Sequence, residues 1–215
     1  MTAPALPQIA EAAQAAGLDI FGGVSNADSL PPGIVTLILL GPLEPGFWPR
    51  FTATPEYGDG QPHPLDRWSS RVIGALAAQL GAQAFFPFGG PPWQPFTGWA
   101  RDSGRAHVSP VGLLVHDSAG LMISYRGALG FAHAIDLPPP APNPCTTCSD
   151  RPCLTACPVD ALSPQGYDVA ACKADLERTG NDCLTRGCAV RRACPVSRTH
   201  GRVESQSAFH MRAFQ

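Results

Sequence analysis

The sequence predicts an α/β (α+β) fold: a front domain over residues 1–138 built as a sheet covered by helices, then a small cysteine-bearing module at 145–215. Three observations predict it. Short apolar runs of strand type alternate with helical patterns through the front of the chain. The stretch 139–144 is mostly proline. All eight cysteines fall between Cys145 and Cys194. A chain of 215 residues has room for one domain and an appended module, and 44% apolar against 15% charged residues is the composition of a packed protein rather than a disordered one.

The elements follow in order. Pro7 to Gly17 reads as a helix, with Ile9, Ala12, Ala13 and Ala16 on one face and Gly17 at its C-terminal stop. Leu18 to Val24 and Ile34 to Leu40 read as strands. The second is an unbroken apolar run and is placed in the middle of the sheet, buried on both faces. Leu43 to Pro64 is rich in Gly, Pro and aromatics and reads as a long irregular connection. Leu65 to Gly81 is a helix on the spacing of Trp68, Val72, Leu76 and Leu80, stopped by Gly81. Ala84 to Phe88 is a short strand that runs into a rigid loop, Gly89-Gly-Pro-Pro-Trp-Gln-Pro-Phe96. Val111 to His116 and Leu121 to Ala134 read as strands joined by a hairpin turn at Asp117-Ser-Ala-Gly120. Prolines then remove the backbone donor at five positions between Leu137 and Pro144, so 139–144 is a stiff linker. Ser207 to Phe214, carrying Phe209, Met211 and Phe214, is a terminal helix.

Charge and hydropathy exclude several classes. A net charge of −2 supplies no field for nucleic acid or an anionic membrane surface, so neither partner is expected. The longest apolar run, Gly33 to Gly41, is far below the roughly 20 residues of a membrane-spanning helix. The opening residues lack a basic, then apolar, leader, so a cytoplasmic location is expected. The halves differ in kind: 6 arginines face 10 acids before residue 145, and 9 Lys plus Arg face 7 acids after it.

In a reducing compartment thiols at short spacings are metal ligands rather than disulfide partners. The first run is Cys145-x2-Cys148-x4-Cys153-x3-Cys157-Pro158, and a second Cys-Pro stands at Cys194-Pro195. The first run resembles the bacterial ferredoxin spacing, with two extra residues before its third Cys. A proline in that place starts a short helix, here Pro158 to Leu162. In two-cluster ferredoxins the last Cys of a run serves the other cluster. The resemblance therefore implies two [4Fe–4S] clusters, one on Cys145, Cys148, Cys153 and Cys194, the other on Cys157, Cys172, Cys183 and Cys188. The spacing Cys183-x4-Cys188-x5-Cys194 is looser than the usual second run. Two tetrahedral zinc sites are the alternative, and they leave the two Cys-Pro dipeptides unexplained. His63, His107, His116, His133, His200 and His210 show no ligand-like pairing.

Around these runs the chain resembles the iron–sulfur epoxyqueuosine reductases and reductive dehalogenases, whose cobalamin domains share a nitroreductase-like fold with cobalamin-processing chaperones of the cblC type. The stretch Ile9 to Gly22 resembles the opening helix and strand of the reductases. Val108 to Leu137, containing Gly112-Leu-Leu-Val-His116, Ile123-Ser-Tyr-Arg-Gly127 and Ala134-Ile-Asp-Leu-Pro138, resembles the strand pair before their proline spacer. The resemblance implies a ferredoxin-like module behind a cleft for cobalamin, with FMN as the alternative. The loop residues Phe88, Gly89, Gly90, Trp93 and Phe96 are the candidate cleft, since small residues admit a flat ligand to the backbone and aromatics cover its face. Tyr125 and Arg126 are the candidate polar contacts, Arg126 for a phosphate or propionamide. Where epoxyqueuosine reductases carry a catalytic Asp, Ala84 to Trp93 has no acid, so no catalytic residue is assigned. The expected function is electron transfer from a redox donor protein, through two clusters, to a bound corrinoid in reductive chemistry or cobalamin processing. The alternatives are a non-catalytic carrier, a flavin reductase and a zinc-stabilised scaffold.

Overall fold

The structure is a computed structural model describing residues 3–215; Met1 and Thr2, where the expected front domain begins, lie outside the described residues. The strands are β1 (Leu18–Ser25), β2 (Thr36–Pro42), β3 (Gln83–Phe85), β4 (Ala106–Val108), β5 (Leu114–His116), β6 (Gly127–Phe131), β7 (Leu162–Ser163) and β8 (Gly166–Tyr167). The helices are α1 (Leu6–Ala15), α2 (Phe47–Thr52), α3 (Pro55–Gly58), α4 (Pro64–Leu80), α5 (Phe96–Asp102), α6 (Val169–Leu176), α7 (Cys183–Arg186), α8 (Ala189–Ala193), α9 (Pro195–Thr199) and α10 (Glu204–Phe214). Helices mix with antiparallel sheets, an α+β protein. The described residues divide into two compact units, one of residues up to 105 with 124–141, the other of residues 106–123 with 142–215.

The first unit is built on a four-stranded antiparallel sheet in the order β1-β2-β6-β3. The apolar run at β2 takes an interior place and is buried from end to end, because an unbroken row of Leu and Ile has no face that tolerates water. Beside it β6, Gly127-Ala-Leu-Gly-Phe131, carries glycines where side chains would collide: a Cβ at Gly127 would come 2.7 Å from Ile73, and one at Gly130 2.7 Å from the Phe85 ring. Helix α4 buries Leu65, Trp68, Ser69, Ile73, Leu76 and Ala77. Val72 and Leu80, expected on that face, are only half-buried, because a four-residue step overshoots the 3.6-residue turn and walks off the stripe. Gly81 ends the helix in the left-handed conformation, φ 66°.

The expected irregular connection from Leu43 to Pro64 is corrected by α2 and α3. Their order comes from burial: Phe47 and Phe51 stack at 5.9 Å and both set their rings edge-on to Trp68 of α4. Glu56 of α3 accepts hydrogen bonds from the Arg71 guanidinium, one from Nη2 at 3.0 Å and a second from Nε. That guanidinium holds the Glu56 carboxyl down to about 2, against the opposing effect of burial. A depressed folded pKa stabilises above the ordinary 4.5, and the stabilisation is lost as pH falls through about 2. Because Arg71 is half in solvent, Glu56→Gln is expected to cost only about 1–2 kcal/mol at pH 7. Chemical unfolding should show that deficit closing between pH 4.5 and pH 2; a deficit that is flat with pH would reject the ion pair as its source.

The sequence reading joins 111–116 to 121–134 by a hairpin turn at 117–120; the turn forms, with His116 and Gly120 bridged antiparallel, but the strand pairing goes no further. Strand β5 pairs with β4, while β6 pairs with β2 and β3, so the two belong to different units. Residues 106–123, read from the sequence as part of the front domain, fall instead in the unit that contains the cysteines. The physical reason is a shared core. Val111, Val115 and Leu121 are buried in one cluster with Cys153, Leu162, Val190 and Cys194. The Leu121 amide donates to the Ser197 hydroxyl at 2.8 Å, and Gly120, at φ 56°, leaves room for the Ser197 backbone, which a Cβ would approach to 2.5 Å. Ala141 closes the first unit with a bond from its amide to the Gly104 carbonyl, and Pro142 opens the second.

The expected helix at Pro158 to Leu162 does not form. Asp160 turns left-handed at φ 51° and Leu162–Ser163 pairs with Gly166–Tyr167, which frees the Ala161 amide for a sulfur. After Cys194 the same Cys-Pro signal does start a helix, α9, with proline in its first turn. The terminal helix is α10, and it buries Gln206, Ser207 and Ala208 while Phe209, Met211 and Phe214 are half-buried. Among the described residues no helix is long and apolar enough to cross a membrane.

Candidate metal centres

All eight cysteines are free thiols in the second unit. Each run is held by an asparagine two residues ahead of a thiol: the Cys145 amide donates to Asn143 Oδ1 at 2.9 Å, and the Cys183 amide to Asn181 Oδ1 at 2.8 Å. The chain then turns between thiols in short steps, with 3-10 turns at Pro144–Thr146 and Pro152–Leu154 and the five-residue helix α8 between Cys188 and Cys194. Six positions along a helix rotate the chain by about 240°, so those two cysteines face different ways.

The result is two sets of four. Cys145, Cys148, Cys153 and Cys194 line a hollow of about 460 Å³, with Val115, Leu121 and Arg151 on its wall. Cys157, Cys172, Cys183 and Cys188 line a tight space of about 20 Å³, closed by Leu162, Leu176, Val190 and Met211. Among the described residues no three His, Cys, Asp or Glu side chains converge as ligands of one metal ion.

The electrostatics divide the thiols in the same way. Burial pushes the Cys145 thiol up, and Cys153, Cys194 and Cys148 push it further; Cys153 is raised by burial and then by Cys194. Burial also raises Cys172, whose charged neighbours are Cys188, Cys157 and Asp175, and Cys183, whose charged thiol neighbour is Cys188. Two thiols of each set are raised in this way, and a nearby cation would favour their thiolates, so each set has donors of the kind a soft metal takes. Donors to sulfur are already in place. The Ala161 amide donates to Cys157 Sγ at 3.3 Å, the Ala189 amide to Cys183, and the Tyr167 hydroxyl to Cys172. Asn143, Asn181, Tyr167, Ser197 and Arg191 are absent from the sequence reading. The repeated Asn-x-Cys, at 143–145 and 181–183, is the one local signal that marks two of them.

The candidate cleft residues of the first unit are placed less coherently. Trp93 is 64% exposed, whereas Phe96 is 6% exposed and packs its ring 5.1 Å from Trp99 as part of the core. A Cβ at Gly90 would come 2.9 Å from the Pro92 carbonyl, so that glycine serves the loop's own turn, and Gly89 serves it through a φ of 81°. Phe88 stacks near Phe86 at 5.2 Å. Tyr125 meets Phe21 edge-on at 6.3 Å. Arg126 places Nη1 3.4 Å from Asp66 Oδ1 and donates Nε to the Tyr125 carbonyl; burial pushes its pKa down while Asp66 opposes the shift. No protein-family model matches the chain, and neither a curated protein nor a solved structure matches it.

Proposed function

We propose that the chain is an iron–sulfur electron-transfer protein whose second unit binds two [4Fe–4S] clusters, one on Cys145, Cys148, Cys153 and Cys194, the other on Cys157, Cys172, Cys183 and Cys188. The observation that carries this reading is the exchange of one thiol between runs: Cys194 lines the hollow of the first run, and Cys157 the space of the second. Zinc knuckles have no need of such an exchange, whereas ferredoxin-like pairs of clusters are built on it. The clusters supply single electrons at low potential, taken from a redox donor protein in the cytoplasm. Their ferredoxin-like module and the nitroreductase-like front unit belong to the same proposal, with a corrinoid as the acceptor in reductive chemistry or cobalamin processing.

A simpler carrier that holds no corrinoid or flavin of its own is the second reading, favoured by the burial of Phe96 in the core rather than in a cleft. Protein purified anaerobically is expected to hold close to eight iron and eight sulfide per chain, as eight thiolates at four per cluster require. Stoichiometric zinc with little iron would reject the cluster reading. Titrating cobalamin and FMN separately into the loaded protein then separates the acceptors: saturable cobalamin binding supports a corrinoid protein, FMN binding alone a flavin reductase, and neither the carrier.

A further inference from the structure

We infer that the hydroxyl of Ser109 donates a hydrogen bond to a sulfur of the cluster on Cys145, Cys148, Cys153 and Cys194, so that the turn between β4 and β5 is part of that metal site and raises its potential. The inference rests on the two-cluster reading above. Ser109 follows β4 directly and stands well before the first cysteine of the chain, yet it lines the hollow of this thiol set. Its backbone is satisfied within the turn: the amide donates to the Leu113 carbonyl at 2.9 Å, and the carbonyl accepts from the Gly112 amide at 3.0 Å. The hydroxyl is not. Ser109 is 5% exposed, and its Oγ is buried without a hydrogen-bond partner among the described residues.

A buried hydroxyl without an acceptor is costly, so in a folded protein such a group marks a partner of matching chemistry. The wall of the hollow says which. Its other polar side chains besides the thiols, Asp150 and Arg151 among them, are exposed and reach water, which screens their opposite charges. Its buried part is Val115, Leu121, Cys153 and Cys194, which share one core with Val111, two residues beyond Ser109; Leu113, which accepts the Ser109 amide, packs against that core. Sulfur is therefore the acceptor that the buried part of the wall offers. A neutral thiol accepts only weakly, whereas the thiolates and sulfides of a cluster are acceptors alone. A hydrogen bond donated to them stabilises the reduced, more negative cluster, most strongly where water is excluded, and so raises the midpoint. Reduction adds one electron from a low-potential one-electron donor; no bond breaks, and the hydroxyl keeps its proton.

The test is a stepwise dithionite titration of the loaded full-length protein, followed by electron paramagnetic resonance. Ser109→Ala is expected to lower the midpoint of the signal that Cys148→Ser abolishes by about 28–59 mV, a three- to tenfold loss in its one-electron equilibrium. The midpoint of the signal that Cys172→Ser abolishes should stay in place. Ser109→Thr, which keeps the hydroxyl, should hold the wild-type midpoint, as a role in packing alone would not require. Ser109→Gly should repeat the effect of Ser109→Ala, and it decides the matter if Ser109→Ala does not load. In iron-loaded protein, a first midpoint unmoved by loss of the hydroxyl overturns the inference and leaves water as the partner of Ser109. A shift that Ser109→Thr shares, or one in the other signal, overturns it too. Protein without iron overturns the two-cluster reading, and this inference with it.

Discussion

Stripping the metal from loaded protein with a chelator is expected to unfold residues 106–123 and 142–215 while the first unit stays folded. The reason lies in what each core is made of. The first unit buries Phe21, Leu37 to Leu40, Phe47, Phe51, Trp68, Trp99 and Phe131, a core that stands without help. The second buries Val111, Val115, Leu121, Leu162 and Val190 around Cys153 and Cys194, so cysteine side chains are part of its interior and, on the proposed reading, the clusters would complete its core. Metal binding in such a segment is folding free energy. Hydrogen exchange is expected to show amides such as Val190 losing protection by roughly a thousandfold, about 4 kcal/mol, while Leu37 to Leu40 keep theirs. The β4–β5 hairpin should go with the cysteines although it precedes them by some thirty residues. Equal loss in both units, or a hairpin that stays protected, would show that the thiols do not hold this unit together.

Replacing one exchanged thiol is expected to remove the cluster of the opposite run. Cys194→Ser should cost roughly half of the iron and abolish the signal that Cys148→Ser also abolishes. Cys157→Ser should cost the other half and abolish the signal lost in Cys172→Ser. The two sets share no thiol, so the surviving cluster keeps its full ligand count in each case. Iron and sulfide analysis with paramagnetic resonance on the four variants checks this. If Cys157→Ser behaved like Cys148→Ser, the runs would each be self-contained and the assignment would fall.

Much of this was legible in the chain because the responsible forces are local. A run such as Leu37 to Leu40 has no polar face, so it belongs inside a sheet wherever it stands, and β2 is interior. Gly81 ends α4 because a left-handed residue after a helix is a local need. Eight thiols confined to one segment lie together in one unit, as their closeness along the chain requires. The loop from Leu43 to Pro64 was illegible for the opposite reason. Helices of six and four residues do not stand on propensity, and α2 and α3 exist because Phe47 and Phe51 find Trp68.

The remaining features lie further from sequence. Nothing local tells Val115 in β5 from Leu129 in β6: both are apolar residues in short strands, and only the partner each buries against assigns one to the cysteine unit and the other to the sheet. Phe96 and Trp93 stand three apart in one aromatic loop, yet the fold takes the first into the core beside Trp99 and leaves the second in water. Arg191 is one arginine among several in its segment, and its bond to the Leu121 carbonyl, seventy residues away in the chain, holds it half-buried. Composition and spacing determined that this protein mixes helices with a sheet and gathers eight thiols in one part of the chain. Which residues share a core, and which charge stands beside which thiol, only the tertiary structure decided, because burial and electrostatics depend on neighbours in space that no local pattern specifies.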